Sequence, residues 1–335
     1  MFKRFAVAIL LAFALGTLSF AQNTLTGAGA TFPYPMYSKW FSDYHKMHPE
    51  IAINYQPIGS GGGIAQVSAG TVDFGATDGP MSDEQLSKAK SKIVHIPTVM
   101  GAVVPAYNVP GVKEELKFTP EAVAGIFLGK ITSWNDNAIQ SANKDVKLPN
   151  TPIVVVHRSD GSGTTYVFTD YLSKVNPDWK SGPGKGTSIK WPVGLGAKGN
   201  DGVAGQIRQV EGSIGYVELI YALQNKISYG AVKNSAGNFV KASLDSTTAA
   251  AKGAKIPEDY RVSITNPSGK DAYPIATFTW LLIPQKAGDP SKGKIIVDFL
   301  NWMLNDGQKE TTELSYAPLP QELASRVKET VKQLQ

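Results

Sequence analysis

An α/β fold in two lobes is what this sequence predicts, and three observations predict it. Short apolar segments rich in β-branched and aromatic residues alternate with amphipathic segments at helical spacing. Two of the apolar segments are longer than their neighbours. The apolar content, 42% of 335 residues, is enough for two cores. The clearest strands are residues 51–55, 72–75, 93–107, 153–157 and 275–283. Thr119 is placed to cap a helix, Pro120 to occupy its first turn, Val123, Ile126 and Phe127 to share one face, and Gly129 to end it. Two core-facing stripes at spacings of three and four close the chain: Ile296, Phe299, Leu300, Met303 and Leu304, then Leu319, Leu323, Val327, Val331 and Leu334. The long strands 93–107 and 275–283 are expected to cross between lobes as a two-strand hinge. Residues 22–103 and 277–335 then form one lobe, 104–276 the other, with a cleft between them. Residues 180–202, rich in Gly and Lys, read as a surface loop.

The first residues stand apart. Lys3 and Arg4 precede an apolar run from Phe5 to Leu15, and Ser19 and Ala21 supply small residues at a cleavage position, which is the pattern of a secretory leader, residues 1–21, cut after about Ala21. The run is too short for a transmembrane helix. There is no Cys, so the chain carries neither disulfide nor thiol-linked lipid, and its stability rests on core burial. Removing the leader leaves 31 basic against 28 acidic residues, spread singly, which excludes a nucleic-acid footprint and leaves room for a small anion.

Three clusters of small and hydroxyl residues sit beside strands: Gly27-Ala28-Gly29-Ala30-Thr31-Phe32, Gly59-Ser60-Gly61-Gly62-Gly63, and Arg158-Ser159-Asp160-Gly161-Ser162-Gly163-Thr164-Thr165. A helical pattern follows each. The first turn of a helix has unpaired N–H groups and a partial positive charge, and glycine lets an oxyanion approach that backbone. One such cluster is an ordinary capped turn; three together point to an anion site. Arg158 adds a permanently charged fork at a strand end. Asp78, just past a strand, fits two roles: a cap or partner for Arg158, or the acceptor for a hydrogen bond from a protonated oxyanion.

Other motifs carry less. Gly194-Leu195-Gly196-Ala197-Lys198-Gly199 has dinucleotide-binding spacing, but no proper strand precedes it, and Gly182-Pro183-Gly184-Lys185-Gly186-Thr187 departs from a P-loop at its lysine. Ser60 and Ser162 lie outside G-x-S-x-G, and His45, His48, His95 and His157 sit without metal or triad spacing, so no catalytic residue, cofactor or metal is expected. A structural surface protein would explain export but not the convergence of Arg158, Asp78 and hydroxyls near strand ends.

The segments Leu25-Thr26-Gly27-Ala28-Gly29-Ala30-Thr31-Phe32-Pro33, Gly59-Ser60-Gly61-Gly62-Gly63, Asp73-Phe74-Gly75-Ala76-Thr77-Asp78 and Arg158-Ser159-Asp160-Gly161-Ser162-Gly163-Thr164 closely resemble the periplasmic phosphate-binding proteins of bacterial phosphate ABC transporters. The resemblance runs in order to about Pro320 and takes in Gly199-Asn200-Asp201-Gly202 and Gly215-Tyr216-Val217-Glu218. It implies a type II periplasmic-binding-protein fold, each lobe a mixed sheet flanked by helices, holding inorganic phosphate in the interlobe cleft for delivery to membrane permease subunits. It implies a monomeric periplasmic receptor and no enzyme. By similarity Thr31 and Phe32 supply a hydroxyl and an N–H, Ser60 a hydroxyl, Asp78 accepts the phosphate proton, and Arg158 donates, with Asp160 beside it. Ser162, Gly163 and Thr164 close round the ion. Gly61 stands where a second serine is common in relatives, and Thr77 where serine is common before the aspartate.

Overall fold

The computed structural model of the protein describes residues 23–334; the expected leader and its cleavage point lie outside the described residues. Strands β1 (Asn23–Gly29), β2 (Ile51–Gln56) and β3 (Phe74–Thr77) are parallel, with β1 between the other two. Next come the long β4 (Ile93–Asn108), a short β5 (Lys117–Phe118), β6 (Val154–Arg158), β7 (Leu195–Ala197) and β8 (Ser213–Glu218). The last strands are β9 (Ser228–Tyr229), β10 (Ala231–Lys233), β11 (Phe239–Val240) and β12 (Ala276–Pro284). The main sheet has the order β2-β1-β3-β12-β4-β8-β6-β7, with β9 also on β4, while β11-β10-β5 form a small separate sheet. β12 is antiparallel to both β3 and β4, and β6 is parallel to β7 and β8.

β4 belongs to both halves of the sheet. Its residues from Ile93 to Ala102 pair with β12, and from Val103 onward they pair with β8. The chain returns beside this point, where the Val103 N–H donates to the Ile275 carbonyl at 2.9 Å just before β12 begins. Both passages are buried and free of side-chain charge, as the near-continuous apolar run of β4 anticipates. β4 carries one extra residue at Thr98, since Thr279 lies opposite Val99 and Trp280 opposite Pro97. Pro97 has no N–H to lose at this irregularity.

The flanking helices that bear on the cleft are α1 (Tyr34–Met47), α2 (Ser60–Ala69), α3 (Pro120–Phe127), α4 (Gly163–Val175), α5 (Gly199–Gln209) and α6 (Leu219–Gln224); α7 (Pro290–Trp302) and α8 (Gln321–Val331) close the chain. α1 buries Tyr37, Trp40, Phe41 and Tyr44 on one face; Phe41 meets Phe74 and Phe299 with ring centroids 5.9 and 5.3 Å apart. In the other half Phe127, Phe168, Trp191 and Tyr216 form a second aromatic core, the Phe168 and Tyr216 rings stacking at 4.4 Å. That core sets the site directly: the Tyr216 hydroxyl accepts the Arg158 N–H at 3.1 Å and bonds Thr165 at 2.7 Å.

Several expectations shift. The strand expected at 72–75 forms two residues later, because Asp73 turns back to bond the N–H and hydroxyl of Thr26. The Thr119 cap is present, its hydroxyl accepting from the Ala122 N–H at 3.1 Å, and Gly129 ends that turn at φ 72°. The stripe through Leu304 runs past α7 into a π-turn at Met303–Gly307. Residues 180–198 are exposed or half-buried, as expected, although Leu195–Ala197 pair with β6; only at the start of α5 are Gly199 and Asn200 buried. Gly194, at φ 109°, allows a close approach to the Val155 carbonyl, a use that composition does not separate from loop formation.

α2 is seated on β1 and β3 through Gly63. A Cβ there would fall 2.5 Å from the Gly29 Cα and 2.6 Å from the Ala28 carbonyl oxygen, both backbone atoms that have no rotamer to yield. Gly63→Ala is expected to cost about 1–3 kcal/mol of stability through overpacking, measured by urea denaturation of the purified protein; an unchanged midpoint would show that α2 shifts freely and does not fix Ser60.

Candidate functional site

The three clusters and Asp78 come together in the cleft between the two halves of the sheet. From the first half, the turn after β1 carries Thr31 and Phe32, both buried, into the start of α1. Ser60 opens α2, fully buried, behind Gly59 at φ 93°. Asp78 follows β3 and is buried; Thr279 on β12, next to the extra residue of β4, donates its hydroxyl to Asp78 Oδ1 at 2.8 Å. The Asp78 N–H donates to Ser60 Oγ at 3.3 Å. Asp78 Oδ2 is buried and has no hydrogen-bond partner among the described residues. Burial pushes the Asp78 carboxyl up to about 7, against the Thr279 bond and the charge of Arg158.

From the second half, Arg158 ends β6 with its guanidinium buried. It is held by Asp160, from Nε to Oδ1 at 2.7 Å and from Nη2 to Oδ2 at 2.5 Å. Asp160 also accepts the Gly199 N–H at 3.0 Å. Burial alone would raise the Asp160 carboxyl, but Arg158 and Gly199 outweigh it and hold it below the usual carboxylate range. Asp160, and not Asp78, is therefore the ion-pair partner of Arg158. The outer face of the guanidinium, Nη1 with the second hydrogen of Nη2, is left toward the cleft, and Nη1 reaches Thr164 Oγ1 at 3.3 Å. Ser162 caps α4, its Oγ accepting the Thr165 N–H at 3.0 Å. The N–H groups of Gly163 and Thr164 head that helix and have no intrahelical acceptor.

The halves meet through glycines. The Gly61 N–H donates to the Gly161 carbonyl at 2.9 Å across the cleft. A Cβ at Gly61 would stand 3.1 Å from the Gly161 Cα, and one at Gly59 2.4 Å from Asp160 Oδ2. A Cβ at Gly163 would stand 2.4 Å from Ser60 Oγ and 2.5 Å from Asp78 Oδ2. All nine residues expected at the site, Thr31, Phe32, Ser60, Asp78, Arg158, Asp160, Ser162, Gly163 and Thr164, are gathered here. What the arrangement offers is a buried cradle of hydroxyls, helix-start N–H groups and a guanidinium, with the unpartnered Asp78 Oδ2 as acceptor. That donor set suits an oxyanion that still carries a proton.

Four further residues complete the cradle. Asn200 donates from Nδ2 to Thr31 Oγ1 at 2.9 Å and to Thr164 Oγ1 at 3.1 Å, joining the two halves. Tyr221 on α6 donates to the Thr31 carbonyl, and Tyr316 to the Phe32 carbonyl. Thr279 orients Asp78. Asn200 lies within Gly199-Asn200-Asp201-Gly202, so a motif marked it; Tyr221 in α6, Thr279 in β12 and Tyr316 in the segment before α8 give no local sign of their contacts. Among the described residues no group of His, Cys, Asp and Glu has metal-site geometry, and no helix is long and apolar enough to cross a membrane.

Since Asp78 ionises near 7 folded and near 3.8 in its ordinary state, the unfolded chain releases this proton first as pH rises. The anion-free protein is then most stable below about pH 4 with respect to this group and loses stability as pH climbs through 7, by an amount on the order of 4 kcal/mol. Glu218, buried where α6 starts and raised well above its ordinary value by burial, adds a loss of the same sign. Asp78→Asn is expected to flatten part of this slope in thermal melts taken from pH 4 to 8; an identical slope would show that Asp78 ionises normally.

Residues 17–307 match the PBP superfamily domain. The phosphate-binding protein PstS of Xylella fastidiosa is 48% identical over 306 residues, 90% of this chain and 83% of its own length. That of Haemophilus influenzae is 47% identical over 318 residues, 94% of each chain. The fold is also that of PfluDING, a high affinity periplasmic phosphate-binding protein solved with phosphate bound, at a TM-score of 0.75 and 22% identity over 91% of this chain and 93% of that one. The phosphate binding protein of Stenotrophomonas maltophilia matches at a TM-score of 0.71 and 19% identity, over 92% and 93%. With that degree of identity over nearly its whole length, and with the donor clusters in one cleft, the chain belongs to the PstS family of phosphate-binding proteins.

Proposed function

We propose that this protein captures one inorganic phosphate ion in the cleft and delivers it to the membrane permease subunits of an ABC-type phosphate importer, catalysing no reaction. The observation that carries this reading is Asp78 Oδ2, a buried acceptor without a partner among the described residues, set among groups that donate. Phosphate near neutral pH keeps a proton to give that oxygen, whereas sulfate brings only acceptors and meets a carboxylate it must repel.

In this reading Thr31, Ser60, Ser162 and Thr164 donate hydroxyls, the Phe32 N–H donates from the turn before α1, and the N–H groups of Gly163 and Thr164 donate from the start of α4. Arg158 donates from its outer face while Asp160 holds the inner one, which keeps the fork aimed. The lobes are residues 22–103 with 277–335, and 104–276. They hinge where β4 changes partners at Val103 and where the chain returns at Ile275. The glycine contacts across the cleft belong to the closed form, which the permease would recognise. The chain would act as a monomer in the periplasm once its leader is removed after about Ala21, with no nucleic-acid partner.

Calorimetric titration of the anion-stripped protein at neutral pH is expected to give 1:1 phosphate binding and no response to sulfate; silence toward both would overturn the reading. Asp78→Ala should weaken phosphate binding by roughly 2–5 kcal/mol, the scale for a buried charged hydrogen bond, and relax sulfate rejection. Wild-type affinity with sulfate still excluded would remove Asp78 from the role of acceptor. Arg158→Lys should also weaken binding, because a point charge satisfies neither Asp160 nor the anion as a fork does; unchanged affinity would count against that assignment.

A further inference from the structure

A hydroxyl is both donor and acceptor, so a hydroxyl in an anion site helps only if its hydrogen faces the ligand. In this cleft the question is settled by Asn200, which is fully buried. Its Oδ1 accepts the Glu218 backbone N–H at 3.0 Å. A backbone N–H only donates, so the amide has one orientation, with Nδ2 turned to the two threonines. One Nδ2 hydrogen goes to Thr31 Oγ1 at 2.9 Å and the other to Thr164 Oγ1 at 3.1 Å.

Each threonine oxygen receives a second donor. The Asn200 N–H reaches Thr31 Oγ1 at 3.3 Å, and Arg158 Nη1 reaches Thr164 Oγ1 at 3.3 Å. Both lone pairs of each oxygen are therefore engaged, and the remaining valence of each is its hydrogen. Neither hydroxyl donates to a protein acceptor among the described residues. Tyr221 ties the Thr31 carbonyl at the same place, which holds the residue's backbone as well.

We infer that Asn200 is a positioning residue for anion selection: it occupies both lone pairs of Thr31 Oγ1 and, together with Arg158, those of Thr164 Oγ1, so both hydroxyls become obligate donors and neither competes with Asp78 as acceptor. The inference rests on the proposed phosphate-binding function and adds to it a residue that sets the proton arrangement without touching the ligand. It also explains why one amide spans the two halves. The donors are polarised only when Thr31 and Thr164 share it, so closure and selection happen together.

The test is a double-mutant cycle read by phosphate calorimetry, with melting curves confirming folding. Asn200→Ala is expected to lose about tenfold in affinity in the otherwise wild-type protein, the scale of losing alignment of two hydrogen bonds. On a Thr31→Val, Thr164→Val background the same change should lose less than about twofold, because no hydroxyl is left to orient. Equal losses on both backgrounds would show a merely structural role and overturn the inference. Should Asn200→Ala fail to fold, the isosteric Asn200→Asp decides. Its carboxylate accepts from the two hydroxyls and reverses them, so at pH 8 it should lose about a hundredfold or more, and recover as acidification restores a donor. Wild-type affinity at pH 8 would overturn the inference. If the wild-type protein binds no phosphate, the proposed function falls and this inference with it; if it binds but the cycle shows no coupling, only the inference falls.

Discussion

A guanidinium withdrawn from water at the end of β6 has to be paired, because an isolated buried charge costs several kcal/mol. Arg158 meets that demand through Asp160, and much of the cleft follows from the pairing. Asp160 lies only two residues along, so the turn between them is tight. Its carboxyl also draws the Gly199 N–H, which fixes where α5 begins and brings Asn200 into the cleft. Gly59 must lack a side chain for the same reason, since a Cβ there would collide with Asp160 Oδ2. With the inner edge of the guanidinium saturated, its outer edge is aimed and keeps its charge for a second partner.

The opposite wall has the complementary problem. Asp78 is a carboxyl in an apolar and hydroxyl-rich environment, supported on one oxygen only by Thr279. Holding it there lowers the protein's stability at neutral pH, and a group kept at such a cost is best understood through what it recognises. Arg158 and Asp78 stand on different halves of the sheet. The two walls meet because Gly61, Gly161 and Gly163 let backbone meet backbone and side chain without intervening atoms. β4, continuous through both halves, ties the two walls into one sheet.

Much of this is legible in the sequence. The alternation of strands and helices, the Thr119 cap, the apolar stripes and the three donor clusters are local patterns, and local patterns survive in sequence because backbone conformation and side-chain periodicity impose them. The departures are local and come from contacts distant in sequence. Residues 180–198 lie exposed or half-buried, as their composition predicts, and only Gly199 and Asn200 are buried, where the Gly199 N–H is drawn to Asp160. The strand at 72–75 moved because Asp73 is held by Thr26, a residue 47 positions away.

The sequence by itself determined the fold class and the donor-rich character of three clusters, because helix starts, an arginine at a strand end and an aspartate past a strand are each written within a few consecutive residues; the nine residues expected at the site rest on the family resemblance. Only the tertiary structure decided which carboxylate pairs with Arg158, which oxygen of Asp78 is left as acceptor, and how Asn200, Thr279 and Tyr221 orient the donors. The contacts of Asn200, Thr279 and Tyr221 depend on atoms brought within 3 Å from segments far apart in the chain. Hydrogen-bond polarity is a property of the assembled network, and no single segment encodes it.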